Sequence, residues 1–308
     1  MKLKKYLKGG AVAKNVLFTG ALGFLGQHLL DYNKRFNIIS KENIYLLTSR
    51  AIEGYNSILH NNYTFKSDDL INTDTLVLMG AFCPKVRSDI NNIKENVKTI
   101  STLGYLLDNL ANIPRKIIYL STISVYGSKL INYNGLIDEE TKPSPDFLYG
   151  HSKLMSEEIL KEFCHKNNIE LSILRISVSY GANDNLRKGT IPTLVKSILK
   201  GEELTIYNEG SEIKHFIHTD DISRMILQSV NQKTDEVINL VDNKAFSVIE
   251  LIKMIEKISN KKAKLIFKTR EQSNDSIFNN SLMLKNFQTL KVPLEEGLEG
   301  VIEYYSNL

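Results

Sequence analysis

Tyr149 and Lys153 stand four residues apart, so on a helix they share one face. An ammonium beside a phenol stabilises the phenolate and draws the tyrosine down from its ordinary pKa of about 10 toward working pH. A tyrosine so placed serves as general acid or base where a hydroxyl and a carbonyl interconvert. Lys153 is also placed to hydrogen-bond a nicotinamide ribose. Thr122, in the stretch Ser121-Thr122-Ile123-Ser124-Val125-Tyr126-Gly127, offers a hydroxyl that would orient the substrate oxygen.

Thr19-Gly20-Ala21-Leu22-Gly23-Phe24-Leu25-Gly26 carries a second kind of chemistry. It lies between a strand pattern and a helix pattern, where a dinucleotide pyrophosphate would meet free N–H groups at the helix N-terminus. Gly20 permits the tight turn, Gly23 lets the backbone approach phosphate, and Gly26 lets the helix pack closely on the strand. Gly20, Gly23, Phe24, Leu25 and Gly26 are the expected cofactor contacts here. The second strand ends Tyr45-Leu46-Leu47-Thr48-Ser49-Arg50, without the carboxylate that holds the ribose hydroxyls of NAD. NADP is therefore favoured over NAD, with Ser49 and Arg50 on its 2′-phosphate; the alternative for Arg50 is a solvated loop residue. Asp69 is a candidate for the adenine amino group or equally a turn residue, with Leu70 beside it.

The elements that position these residues follow from hydropathy. Short apolar runs alternate with helical spacing through the first half, the pattern of βαβ units and a parallel sheet. Strands are predicted at 15–19, 43–47, 63–66, 75–79, 116–120 and 169–176, and helices at 24–32, 90–110 and 149–166. Beyond that, 191–199 and 248–258 read as helices, and 204–207, 215–218 and 237–240 as short strands. The fold class is thus α/β, a doubly wound parallel sheet over 1–175, with a smaller substrate-binding lobe over 176–308 that returns some segments to the main sheet.

With 308 residues, 42% apolar and 24% charged, the chain buries a large core, which excludes disordered and fibrous classes. A net charge of +4 spread along the chain leaves no basic stripe for nucleic acid. Met1–Lys8 is basic but leads into Gly9-Gly10, and no run approaches the ~18 apolar residues of a membrane span, so a cytoplasmic protein is expected. Cys83 and Cys164 match no CxxC spacing and are expected to pack as small hydrophobes, Cys83 with pocket lining as the alternative. None of the six histidines forms a metal pattern, so no metal is expected.

Taken together, these motifs resemble the extended short-chain dehydrogenase/reductase family, the sugar-nucleotide epimerases, dehydratases and reductases. The resemblance covers the TGxxGxxG loop at 19–26, Asn96, the stretch 121–127, YxxxK at 149–153, Leu174-Arg175, Tyr180-Gly181, Ile191-Pro192 and 210–221. It implies a Rossmann-type domain, a sugar-nucleotide substrate held by the C-terminal lobe, hydride exchange with nicotinamide, and a homodimer through the helices near 90–110 and 149–166. It also implies cofactor contacts from Ala81, Asn96, Tyr149 and Lys153. Dehydratases of the family carry acids directly after the Ser/Thr, where this chain has Ile123 and Ser124, so dehydration is not expected. The family's Arg-Asp pair before Phe216 is replaced by Lys214-His215. Lys214 and Arg270 are the candidate phosphate contacts, with surface cations as the alternative. These features favour reduction of a 4-keto sugar nucleotide; the alternatives are an epimerase with tightly bound cofactor, or a dinucleotide sensor without catalysis.

Overall fold

Runs of leucine and β-branched residues buried on both faces form the strands of a parallel sheet, because helices cover each side. The computed structural model describes residues 15–61, 64–65, 70, 72–83, 92–127, 136–184, 189–234, 236–242, 244–269, 277–287 and 292–308. The chain runs β1 (Val16–Thr19), α1 (Phe24–Phe36), β2 (Ile44–Thr48), β3 (Asn56–Leu59), β4 (Thr75–Leu78), α2 (Ile93–Asp108), β5 (Lys116–Thr122), α3 (Leu148–Asn167) and β6 (Glu170–Ile176). It continues through β7 (Val178–Tyr180), α4 (Thr190–Lys200), β8 (Glu203–Tyr207), β9 (Ile213–His218), α5 (Thr219–Asn231), β10 (Val237–Leu240) and β11 (Ala245–Ser247). The last elements are α6 (Val248–Ser259), β12 (Lys264–Lys268), α7 (Ser281–Asn286) and α8 (Leu294–Ser306).

Seven strands pair in the order β10-β6-β5-β4-β1-β2-β3, every pair parallel. Phe18, Leu46, Val77, Ile118 and Leu174 point to one face, where Leu29 of α1 and Ile226 of α5 cover them. Leu17, Leu76, Ile117 and Ile173 point to the other, against Leu103 and Leu106 of α2 and Leu160 of α3. This is the Rossmann-type doubly wound α/β fold expected from the alternating pattern.

A separate core joins α4, α6 and α8 around Val195, Leu251, Ile255, Leu298 and Val301. Here β9 lies between β7 and β11, while β8 and β12 form a two-stranded parallel ribbon. β10 leaves this part of the chain and pairs with β6 in the large sheet. No helix among the described residues is long and apolar enough to cross a membrane.

One expectation is corrected and one element was not foreseen. The third strand is Asn56–Leu59, not 63–66; its half-exposed sequence hides the alternation. Of the expected segment, Thr64 makes only an isolated bridge to Asn61, and Tyr63 and Lys66 lie outside the described residues. Helix α5 replaces what the sequence presented only as landmarks around Asp220-Asp221, its apolar face being Ile222, Met225, Ile226 and Val230.

Leu298 is fully buried where α8 meets α4 and α6. Leu298→Ala is expected to lower stability by about 2–5 kcal/mol, the range for emptying such a core site. In urea it should move the unfolding midpoint at unchanged slope; a midpoint equal to that of the parent would show that α8 is not part of the core.

Candidate active site

Strand order reverses between β1 and β4, and in open α/β sheets ligands bind at that reversal. Gly20 has φ +73°, and a Cβ on it would lie 2.6 Å from the Gly80 nitrogen. A Cβ on Gly26 would lie 2.3 Å from the Gly20 carbonyl oxygen. Only glycine fits either place. Thr19 Oγ1 accepts N–H bonds from Met79 at 3.1 Å and Gly80 at 3.0 Å, tying the ends of β1 and β4 together. Gly23 caps α1 without a side-chain bond, and the first turn carries no acid, so the positive end of the helix faces the loop. Phe24 and Leu25 begin that helix, Leu25 packing on the sheet core and Phe24 edge-on to His28.

At the end of β2, Thr48 is buried and its Oγ1 has no hydrogen-bond partner, a polar atom that a ribose hydroxyl would satisfy. Ser49 and Arg50 follow it, both exposed. Arg50 borders a cleft of about 570 Å³ that Ala21, Leu22, Gln27, Lys34 and Tyr55 also line. The glycine cradle, the bare helix end and the unpaired hydroxyl together fit a dinucleotide. Asp69 and Arg270 lie outside the described residues. Leu70 is buried in the core with Leu47 and Phe65. Ala81 is half-buried just after β4, in a segment that the Phe82 N–H anchors to Thr99 Oγ1 of α2 at 3.2 Å.

The proton-transfer candidates occupy one wall. Thr122 ends β5, and its Oγ1 accepts the Ser124 N–H at 3.2 Å, capping the 3-10 turn Ile123–Tyr126. A Cβ on Gly150 would lie 2.5 Å from the Ser124 carbonyl oxygen, so α3 begins flush against that turn and Tyr149 stands next to it. Lys153 is 4% exposed; its Nζ donates to the Leu120 carbonyl and sits 4.5 Å from the Tyr119 ring centre. Burial pulls its pKa down to about 8, against the opposing pull of Cys83 and Glu157. Asn96 is buried too, accepting from Ser152 Oγ at 3.0 Å and donating to the Asn92 carbonyl at 2.7 Å; it braces α2 against the residue before Lys153.

Behind this wall lies a charged network that the sequence reading did not assemble. Glu157, fully buried, takes Arg175 Nη2 at 2.7 Å and Nε at 3.2 Å, and accepts from Ser121 Oγ. Arg175 Nη1 donates to the Tyr126 hydroxyl at 2.8 Å, which donates to Asn239 Oδ1 at 2.9 Å. The available signal was spacing, since Glu157 stands one helical turn past Lys153.

In the lobe, Lys214 on β9 faces Glu212 at 3.3 Å. His215 is buried; its Nε2 accepts the Phe278 N–H at 3.2 Å, so Nδ1 carries the proton and donates to the Asp242 carbonyl. His218 caps α5 by accepting the Asp220 N–H, and burial pulls its pKa down to about 4. Cys164 is buried as expected, its thiol pushed up to about 12, whereas Cys83 is exposed, which corrects the expectation of packing.

The family model described as the NAD dependent epimerase/dehydratase family matches residues 16–240. An uncharacterized protein of Methanocaldococcus jannaschii is 29% identical, covering 95% of this chain and 96% of its own length. A Bacillus subtilis protein described as an uncharacterized UDP-glucose epimerase is 27% identical, over 95% and 98%. Among solved structures, the UDP-glucuronic acid 4-epimerase of Bacillus cereus, in complex with UDP-glucuronic acid and NAD, superposes with a TM-score of 0.83 at 24% identity, covering 95% of this chain and 99% of that one.

Because the folded state lowers the Lys153 pKa, the unfolded chain holds the extra proton between about pH 8 and the ordinary lysine value. Lys153 therefore costs stability below pH 8, and that cost fades as pH rises through the window. Lys153→Met is expected to flatten the rise of unfolding free energy between pH 8 and about 10.4, measured by urea unfolding at a series of pH values. An identical slope in parent and variant would place the ammonium in solvent.

Proposed function

Because the chain belongs to the NAD dependent epimerase/dehydratase family, within the extended short-chain dehydrogenase/reductases, we propose that it interconverts a secondary alcohol and a ketone on a sugar nucleotide, with epimerisation at that carbon as the outcome. The observation that carries this reading is the wall of Thr122, Tyr149 and buried Lys153 beside a glycine loop that leaves main chain open at the N-terminus of α1. The Bacillus cereus neighbour, an epimerase holding a UDP-sugar and NAD, supports the choice of outcome. This reverses the order in which sequence alone ranked reductase and epimerase.

Tyr149, paired with the Lys153 ammonium, takes the proton from the sugar hydroxyl as that carbon is oxidised and returns it on reduction. Thr122 donates to or accepts from the same oxygen and fixes its distance from the phenol. Lys153 also holds the nicotinamide ribose, and Asn96 braces the helix that carries it. A bound nicotinamide would supply the hydride acceptor and then, to the opposite face of the turned keto sugar, the hydride donor. Ile123 and Ser124 supply no acid for expelling water, which argues against dehydration. Lys214, with Arg270, is proposed to reach the substrate diphosphate. Asp69 and Leu70 belong to the adenine end of the cofactor site in this reading.

A second reading, net reduction of a keto sugar, rests on the end of β2. Thr48-Ser49-Arg50 offers no carboxylate to a ribose, while Arg50 and Lys34 border one cleft, a setting for a 2′-phosphate. NADP is accordingly the proposed cofactor, in preference to NAD. A homodimer is proposed through α2 and α3, where Ile93, Val97 and Met155 are each more than half exposed.

Incubating the protein with UDP-, dTDP-, GDP- and CDP-sugars while following reduced nicotinamide separates the readings. Sugar interconversion without net change in cofactor is expected; stoichiometric loss of NADPH would establish the reductase. Tyr149→Phe should lower kcat about 10²–10⁴-fold with little change in dinucleotide affinity. Arg50→Ala should weaken NADPH binding about 10- to 100-fold and spare NADH, since charged hydrogen bonds contribute about 1.5–3 kcal/mol. Parent protein that binds NADH more tightly than NADPH would overturn the cofactor assignment.

A further inference from the structure

Parallel register sets Ser121 of β5 and Asn239 of β10 on either side of Arg175 of β6. This three-strand row faces α3, and its meeting point is the Glu157 carboxylate, which bonds Ser121 and Arg175. Glu157 and Lys153 are one turn apart on that helix, and both are nearly or wholly out of water. The wall thus encloses two cations, Lys153 and Arg175, around one fully buried anion.

We propose that Glu157 is a positioning residue for the reaction, its carboxylate serving as the counter-charge that keeps Lys153 an ammonium inside the wall while Arg175 fixes where that carboxylate stands. The proposal rests on the reading of Lys153 as a reaction-site residue. Other groups facing Lys153 do not replace Glu157. From β5 comes the Tyr119 ring, whose hydroxyl burial keeps protonated, and the neutral Leu120 carbonyl. Asn96 of α2 is neutral and bonds the neighbouring Ser152, and Arg175 of β6, a like charge, is bonded to Glu157 itself. Cys83 follows β4 and also opposes the loss of charge on Lys153, but it is exposed, and water screens it. Tyr149, on the same helix, is the group whose ionisation the Lys153 charge serves.

The sign of the effect makes the role testable. Removing Glu157 leaves two buried like charges, which drives the proton off Lys153. Removing Arg175 instead frees the carboxylate to act on Lys153 alone, which holds the proton on. Both substitutions cut the same ion pair, so a merely structural role would shift Lys153 in the same direction in both.

Titrating the lysine side-chain nitrogens of the full chain by ¹⁵N NMR reads the Lys153 midpoint without any need for turnover, so an error in the substrate assignment would not affect it. Glu157→Gln is expected to lower that midpoint by at least one pH unit from the parent, and Arg175→Gln to raise it. Glu157→Asp should stay near the parent, and Cys83→Ser should move it less than Glu157→Gln does. A shift of the same sign in the Gln variants, no shift in Glu157→Gln, or a larger shift in Cys83→Ser would overturn the proposal. Should Glu157→Gln not fold, Arg175→Gln decides alone, and a midpoint that fails to rise would refute it.

Discussion

An ammonium held out of water governs this structure. Moving such an ion into a protein interior costs several kcal/mol unless other groups replace its hydration. At Lys153 the Leu120 carbonyl and the face of Tyr119 lie against the ammonium, and Cys83 and the Glu157 carboxylate also favour its charge. Glu157 in turn is bonded by Arg175 and Ser121, and Arg175 donates its remaining fork to the Tyr126 hydroxyl. The register of β5 against β6, the approach of α3 and the 3-10 turn after β5 are therefore mutually dependent. A shift of one residue in any of them would strand a buried charge.

The glycine cradle obeys a different logic, that of contact distance. Gly20 and Gly80 approach so closely that their strands' ends act as one surface, fastened by the Thr19 hydroxyl. No acid stands in the first turn of α1, so the donors nearest the loop are backbone N–H groups. The wall around Lys153 is built from side-chain electrostatics, whereas the glycine turn itself is built from main chain.

Much of this was legible because periodicity and glycine spacing are local signals. The strands ending in Thr19, Leu78 and Thr122 and the helix bearing Tyr149 and Lys153 could be placed from such patterns. Signals that depend on partners distant in sequence could not. Asn56–Leu59 carries too little hydrophobic alternation to read as a strand until β2 pairs with it. Helix α5 has a clear apolar face, yet its start coincides with a motif that drew attention to Asp220 and Asp221 instead. Glu157 and Arg175 sit 18 residues apart, and only the folded sheet shows that one neutralises the other. Cys83 exposes the opposite limit, since hydropathy gives no view of a loop's cover.

Placing β10 beside β6 also has a consequence for synthesis on the ribosome. β6 is complete at Ile176, but its neighbour appears only at Val237–Leu240, after α4 and α5 have been made. Until then the nascent chain carries β6 as an open edge, able to pair wrongly with any strand nearby. The Arg175 row stays unfinished as well, because Asn239, which accepts from Tyr126, has not emerged. The seven-stranded sheet begins first in sequence, yet it cannot settle first; its last strand is supplied by the part of the chain that follows it.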